Sequence, residues 1–175
     1  MRRALLIPLV LAVGLVPAMT AIAAPAAVTM NNGCTGMAVK TKSYVFALTL
    51  GPFQQMYTPA QVKAKHLETG EVMVRGQMMG MHGSMSSQRH LEVHICSRSS
   101  GKVVTGAHPS ITFADLTAKG KMEMVSVAAM YGIKEGPSDY HYGNNVSVTP
   151  GHTYEATVKL GGQTAAFKVK ASKMM

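Results

Sequence analysis

Residues 89–96, Arg89-His90-Leu91-Glu92-Val93-His94-Ile95-Cys96, alternate apolar and polar side chains without a break. A period of two predicts a β-strand, with Leu91, Val93 and Ile95 on one face and His90, Glu92, His94 and Cys96 on the other. Imidazole, carboxylate and sulfur are the usual protein ligands of transition metals. Neighbouring side chains on one face of a strand stand roughly 7 Å apart, so two can close on one ion more easily than three in line. His90 and Glu92 are therefore the expected ligands from this strand. His94 is expected as a supporting or surface histidine. The competing reading is a polar outer face with a structural cysteine.

Three further groups could take part. Asp139-Tyr140-His141-Tyr142-Gly143-Asn144-Asn145 places a histidine between two tyrosines, where ring packing could hold it rigidly as a ligand or simply as a packed loop residue. Met130 opens the loop that carries His141, although a single methionine more often fills a core. Met78, Met79, Met81, His82 and Met85 lie within eight residues in a glycine-rich stretch. Thioethers are soft donors that favour Cu(I) or Ag(I), so this stretch suits weak copper capture. A contact surface or a flap over the main site is the other reading. His66, His108 and His152 stand alone and read as surface residues.

The elements that must position these groups read as short strands. Candidates run over 39–50, 71–77, 103–104, 111–113, 122–130, 146–149, 153–160 and 164–169, separated by Gly, Pro and Asn turns. Gly161-Gly162 suits a tight hairpin. Residues 53–65 read as a loop or one helical turn, with Thr58 a cap before Pro59. Residues 131–145 read as a loop. No stretch shows sustained helical periodicity. The pattern predicts an all-β protein: an immunoglobulin-like antiparallel β-sandwich of about seven to nine strands.

Arg2-Arg3, the apolar run from Ala4 to Val16 and the small-residue Ala21-Ile22-Ala23 predict a secretory signal peptide over residues 1–23. An irregular arm over 24–37 and a single domain over 38–175 would follow. Cleavage lowers Lys+Arg from 17 to 15 against 8 Asp+Glu, a mature net charge of +7. The basic residues are scattered and Trp is absent, which argues against nucleic acid as a partner. In an oxidising compartment Cys34 and Cys96 are expected to pair, although Cys96 could instead be a thiolate ligand. Methionine is unusually abundant, with 15 in the chain.

The His-Leu-Glu at 90–92, together with Met130 and the later His141-Tyr142-Gly143-Asn144-Asn145, resembles the periplasmic iron-transport accessory family. These are secreted immunoglobulin-like proteins that bind copper as well as iron and accompany iron-permease uptake systems. The resemblance spans roughly Gly70 to Val169 and implies His90, Glu92, Met130 and His141 as metal ligands. It also implies a homodimer and a membrane permease as partners. The loop from Met130 to His141 is longer here than in the family, which makes Met124 the alternative thioether. The Met/His stretch at 78–85 has no counterpart there.

Residues and resemblance together point to an exported, periplasmic or extracellular, non-catalytic metal-binding protein for copper, with iron the second candidate. Uptake, storage and detoxification are all compatible roles. A metal-free interaction or adhesion module, and a copper enzyme, are the alternatives. No nucleophile–base pair is legible to favour an enzyme.

Overall fold

The computed structural model describes residues 26–27, 34, 36–77 and 85–172. Among these residues the strands are β1 (Ala26–Ala27), β2 (Met37–Lys40), β3 (Tyr44–Pro52), β4 (Met56–Tyr57), β5 (Glu71–Arg75) and β6 (Gln88–Ser97). They continue with β7 (Ser110–Asp115), β8 (Glu123–Met124), β9 (Ala128–Gly132), β10 (His141–Ser147), β11 (Thr153–Leu160) and β12 (Gln163–Lys170). One sheet has the order β1-β2-β3-β6-β10-β9-β5-β4 and the other β12-β11-β7-β8. Every pairing is antiparallel except β4 with β5. The expected all-β sandwich is therefore present.

Alternation in β6 places its apolar face between the sheets. Leu91, Val93 and Ile95 pack there with Phe46 and Leu48 of β3, and with Ile111, Val158 and Phe167 from the smaller sheet. Tyr142 joins this core, and its hydroxyl donates to the Val104 carbonyl at 2.8 Å. The opposite face of β6, which the competing reading made a polar outer surface, has both its histidines buried. His90 is 2 % exposed and His94 1 %. Cys34, Ala38, Val45, Ala47 and Cys96 form a second apolar cluster on that face, closed by the Cys34–Cys96 disulfide. The disulfide removes Cys96 from the candidate ligands.

Several predicted elements change shape. The strand expected over 39–50 is two strands, β2 and β3, turning at Thr41–Ser43. The strand expected over 122–130 breaks between the sheets: β8 pairs with β7, whereas β9 pairs with β10 and β5. Much of the loop expected over 131–145 is ordered. It completes β9, makes a 3-10 turn at Gly136–Asp139, and starts β10 at His141. The arm contributes β1. Thr58 caps a seven-residue helix, α1 (Pro59–Lys65): its side chain accepts from the Gln61 N–H, and the Gln61 side chain accepts from the Thr58 N–H. This reciprocal cap and Pro59 at the first turn explain how a helix without a buried residue forms. Gly161 and Gly162, at φ +56° and +73°, make the predicted tight hairpin between β11 and β12. No helix among the described residues is long and apolar enough to cross a membrane.

Candidate metal centre

The centre lies on the face of the larger sheet turned away from the smaller one. Side chains paired across strands share a face. Asn145 pairs with His90, Gly143 with Glu92, and His141 with Met130; Met130 in turn pairs with Met73, and Gly132 with Glu71. On the other side of β6, Gly51, Thr49 and Ala47 of β3 stand beside His90, Glu92 and His94. Small residues around the polar row leave room for its side chains. Gly143 is required as glycine, because a Cβ there would run into the Leu91 carbonyl. Gly132 leaves a notch filled by the Glu135 and Asp139 carboxylates.

His141 is the centre of the arrangement. Its ring meets His90 and His94 edge to face, with centroids 5.5 and 5.4 Å away. The two tyrosines beside it do not clamp it; they pack against each other, at 5.5 Å. His141 Nδ1–H donates to the Asp139 carbonyl at 2.7 Å. A carbonyl only accepts, so Nδ1 carries the hydrogen and Nε2 is the nitrogen left to face a metal ion. His90 is oriented in the same way. The Oδ1 of Asn145 accepts from the Gln54 N–H at 3.3 Å while its Nδ2 donates to the Gln54 carbonyl at 2.8 Å. That oxygen also accepts from His90 Nδ1 at 3.3 Å. His94 Nδ1 donates to the Tyr140 carbonyl at 3.3 Å, and its Nε2 meets Glu92 Oε1 in a short contact. All three histidines thus present Nε2 to one region, with Nδ1 held from behind as in ligated histidines.

The Nε2 atoms of His90 and His141 face each other at 3.3 Å. Two lone pairs at that distance repel unless a cation lies between them. Without metal the cation is a proton. Burial and the His141 charge push His90 down to about 4. Burial opposes charge on His141 too, but the Asp139 hydrogen bond and the Glu92 and Glu71 carboxylates outweigh it and raise its pKa. Where one proton is shared between the two rings, it therefore sits on His141 and is donated to His90. Nitrogens about 2.0–2.1 Å from a tetrahedral ion lie about 3.3 Å apart, so a metal ion fits where the proton sits.

Carboxylates complete the site. Glu71 Oε2 lies 3.6 Å from His141 Nε2 and is the buried side-chain atom without a hydrogen-bond partner among the described residues. Burial raises the Glu71 pKa to about 7. Burial opposes ionisation of Glu92 as well, but the His94 hydrogen bond and the His141 and His94 charges hold it below the usual carboxylate range. Asp139 is likewise held low against its burial, by His141 and the Gly132 N–H. It stands 3.7 Å from His94 Nε2. Two overlapping ligand sets result, Glu71–His90–His141 and Glu92–His94–Asp139–His141. A cleft of about 360 Å³, lined by Glu71, Glu92, Glu135, Asp139, Lys134 and Gln54 among others, leads to them.

The structure thus gathers four predicted or adjacent residues, His90, Glu92, Met130 and His141, in one region of one face. His94, expected as a supporting or surface histidine, is buried within the cluster. Met124 is 68 % exposed on the smaller sheet and is no alternative to Met130. Met78, Met79, Met81 and His82 lie outside the described residues; Met85 is exposed. His152 is not isolated either: its Nδ1 lies 2.8 Å from Asp115 Oδ2. Sequence reasoning missed Glu71 and Asp139 as ligands. A signal for Glu71 was its parity with Met73 on β5, which puts it on the metal face. Comparison with protein-family models, curated proteins and solved structures gives no match.

Proposed function

We propose that this is an exported, non-catalytic copper-binding protein that holds its ion between His90 and His141, with Glu71, Glu92, His94 and Asp139 as further donors. The observation that carries the metal reading is the pair of Nε2 atoms facing each other at 3.3 Å beside the unpartnered Glu71 oxygen. Imidazole and carboxylate suit Cu(II), and Met130 on the same face adds a soft donor that suits Cu(I) better than zinc. Iron is the second candidate, through the carboxylates. The acidic cleft draws cations inward although the chain is basic overall. The disulfide fits an oxidising compartment, in keeping with export. The likeness to iron-transport accessory proteins supports the copper assignment and adds a homodimer and a membrane permease as partners to test.

Elemental analysis and Cu(II) electron spin resonance of the purified mature chain test the reading. Wild type should bind Cu(II) with nitrogen hyperfine structure, and His90→Ala and His141→Ala should each change the spectrum and weaken affinity by about tenfold to a hundredfold. A folded wild type that takes up no Cu(II), or spectra unchanged in both variants, overturns it.

A further inference from the structure

We propose that Met56, Met73 and Met130 form a second site, an all-thioether pocket for a soft monovalent ion such as Cu(I) or Ag(I), next to the histidine cluster. The first observation is how the chain sorts its methionines. Among the described residues, the fully buried core between the sheets is built from Phe, Leu, Ile, Val, Tyr and Ala, with Met37 packed against it only as a partly buried neighbour. The buried methionines of the described residues, Met56 and Met130, are both on the opposite face, with Ala128 between the strands and Met73 packed against them. A need for apolar filling alone would not separate methionine from the branched residues in this way, because either can fill a core.

The second observation is register. Met73 pairs with Met130, and Met130 pairs with His141, so thioether, thioether and imidazole follow one another across β5, β9 and β10. Met56 pairs with Glu71 across β4 and β5. The Glu71 side chain is more than nine-tenths buried, and its Oε2 has no hydrogen-bond partner. Its backbone is thus in register with Met56 while its Oε2 lies 3.6 Å from His141 Nε2, and when ionised it supplies a negative charge next to the thioether strands. A monovalent ion loses less hydration on entering such an apolar pocket than a divalent one, and neutral sulfur donors select it. Partly exposed Met73 provides the way in.

The site shares Met130 and the Glu71 carboxylate with the Cu(II) reading, but Met56 and Met73 belong to it alone, so a test on those two separates the readings. The disulfide-intact mature chain is labelled with ¹³C at its methionine methyl groups, resonances are assigned with single Met→Leu variants, and silver nitrate is titrated in. The Met56, Met73 and Met130 methyl signals should shift together and saturate. A Met56→Leu/Met73→Leu variant, volume-conserving and therefore expected to fold, should weaken this Ag(I) binding by about tenfold or more while its Cu(II) spectrum stays that of wild type. Methyl signals of these three residues that stay in place while those of residues 78–85 move would overturn the proposal. So would Ag(I) affinity unchanged in the double variant. The wild-type titration decides the matter even if that variant folds poorly.

Discussion

Glu71 governs how the centre responds to pH. Ligands must be deprotonated to bind metal. Glu71 titrates at about 7 and His141 above its usual value, whereas His90 keeps its lone pair down to about 4. Metal affinity should therefore be full above pH 7 and fall as pH drops below it; constant affinity from pH 8 to 5 would contradict this ligand set. In metal-free protein the two buried groups act oppositely. Glu71, with its folded pKa raised, contributes stability that is full below pH 4.5 and lost as pH rises to about 7. His90, with its folded pKa lowered, contributes stability that is full above pH 6.5 and lost as pH falls to about 4. Glu71→Gln removes the first effect. Melts of chelator-treated protein should show the variant stabilised at pH 8, by up to about 3 kcal/mol, although it binds metal less well. A less stable variant at pH 8 would mean that Glu71 is not a buried, destabilised carboxylate.

Among the elements, β6 matters most because both of its faces are used. Leu91 and Val93 are fully buried in the inter-sheet core. Leu91→Asp or Val93→Asp should cost about 4 kcal/mol or more, enough to unfold the domain, by burying an unpaired charge. A native thermal melt for either would mean that the faces are reversed. β10 depends on close approach as well as on burial. Gly143→Ala would force β10 away from β6 at the Leu91 carbonyl and so separate His141 from His90. Its Cu(II) affinity should fall even in preparations that remain folded, and an unchanged Cu(II) spectrum would rule out this strand contact as what sets the site.

At the scale of the whole molecule, the Cys34–Cys96 bridge ties the arm to β6 over a sequence separation of 62. Closing a loop of that length in the unfolded chain is worth about 4 kcal/mol, a large share of the roughly 5–15 kcal/mol that holds a domain folded. A Cys34→Ala/Cys96→Ala variant should melt on the order of 10 °C lower. Its Cu(II) spectrum at low temperature should be unchanged, because neither sulfur is a ligand. A lost spectrum in the folded variant would show that the bridge positions the histidines.

The strand period was legible in the residues themselves: 89–96 named its two faces, Gly161-Gly162 its hairpin, Thr58-Pro59 its cap, and the two cysteines their pairing. The site was legible where a ligand type and strand parity coincided, as at His90 and Glu92, and in the isolated choice of His141. Parity says which side of a ribbon a residue occupies, but not what covers that side. Hence the choice between a supporting and a surface role for His94 stayed open, although neighbouring strands bury it. Whether Met124 or Met130 accompanies the histidines depends on which sheet the chain joins after residue 124, a question of long-range pairing. The same holds for Glu71, whose carboxylate reaches His141 only because β5, β9 and β10 lie side by side, and hydrogen bonds between strands distant in sequence leave no local pattern. Asp139 is two residues from His141, and only the 3-10 turn that joins them brings its carboxylate to the ring.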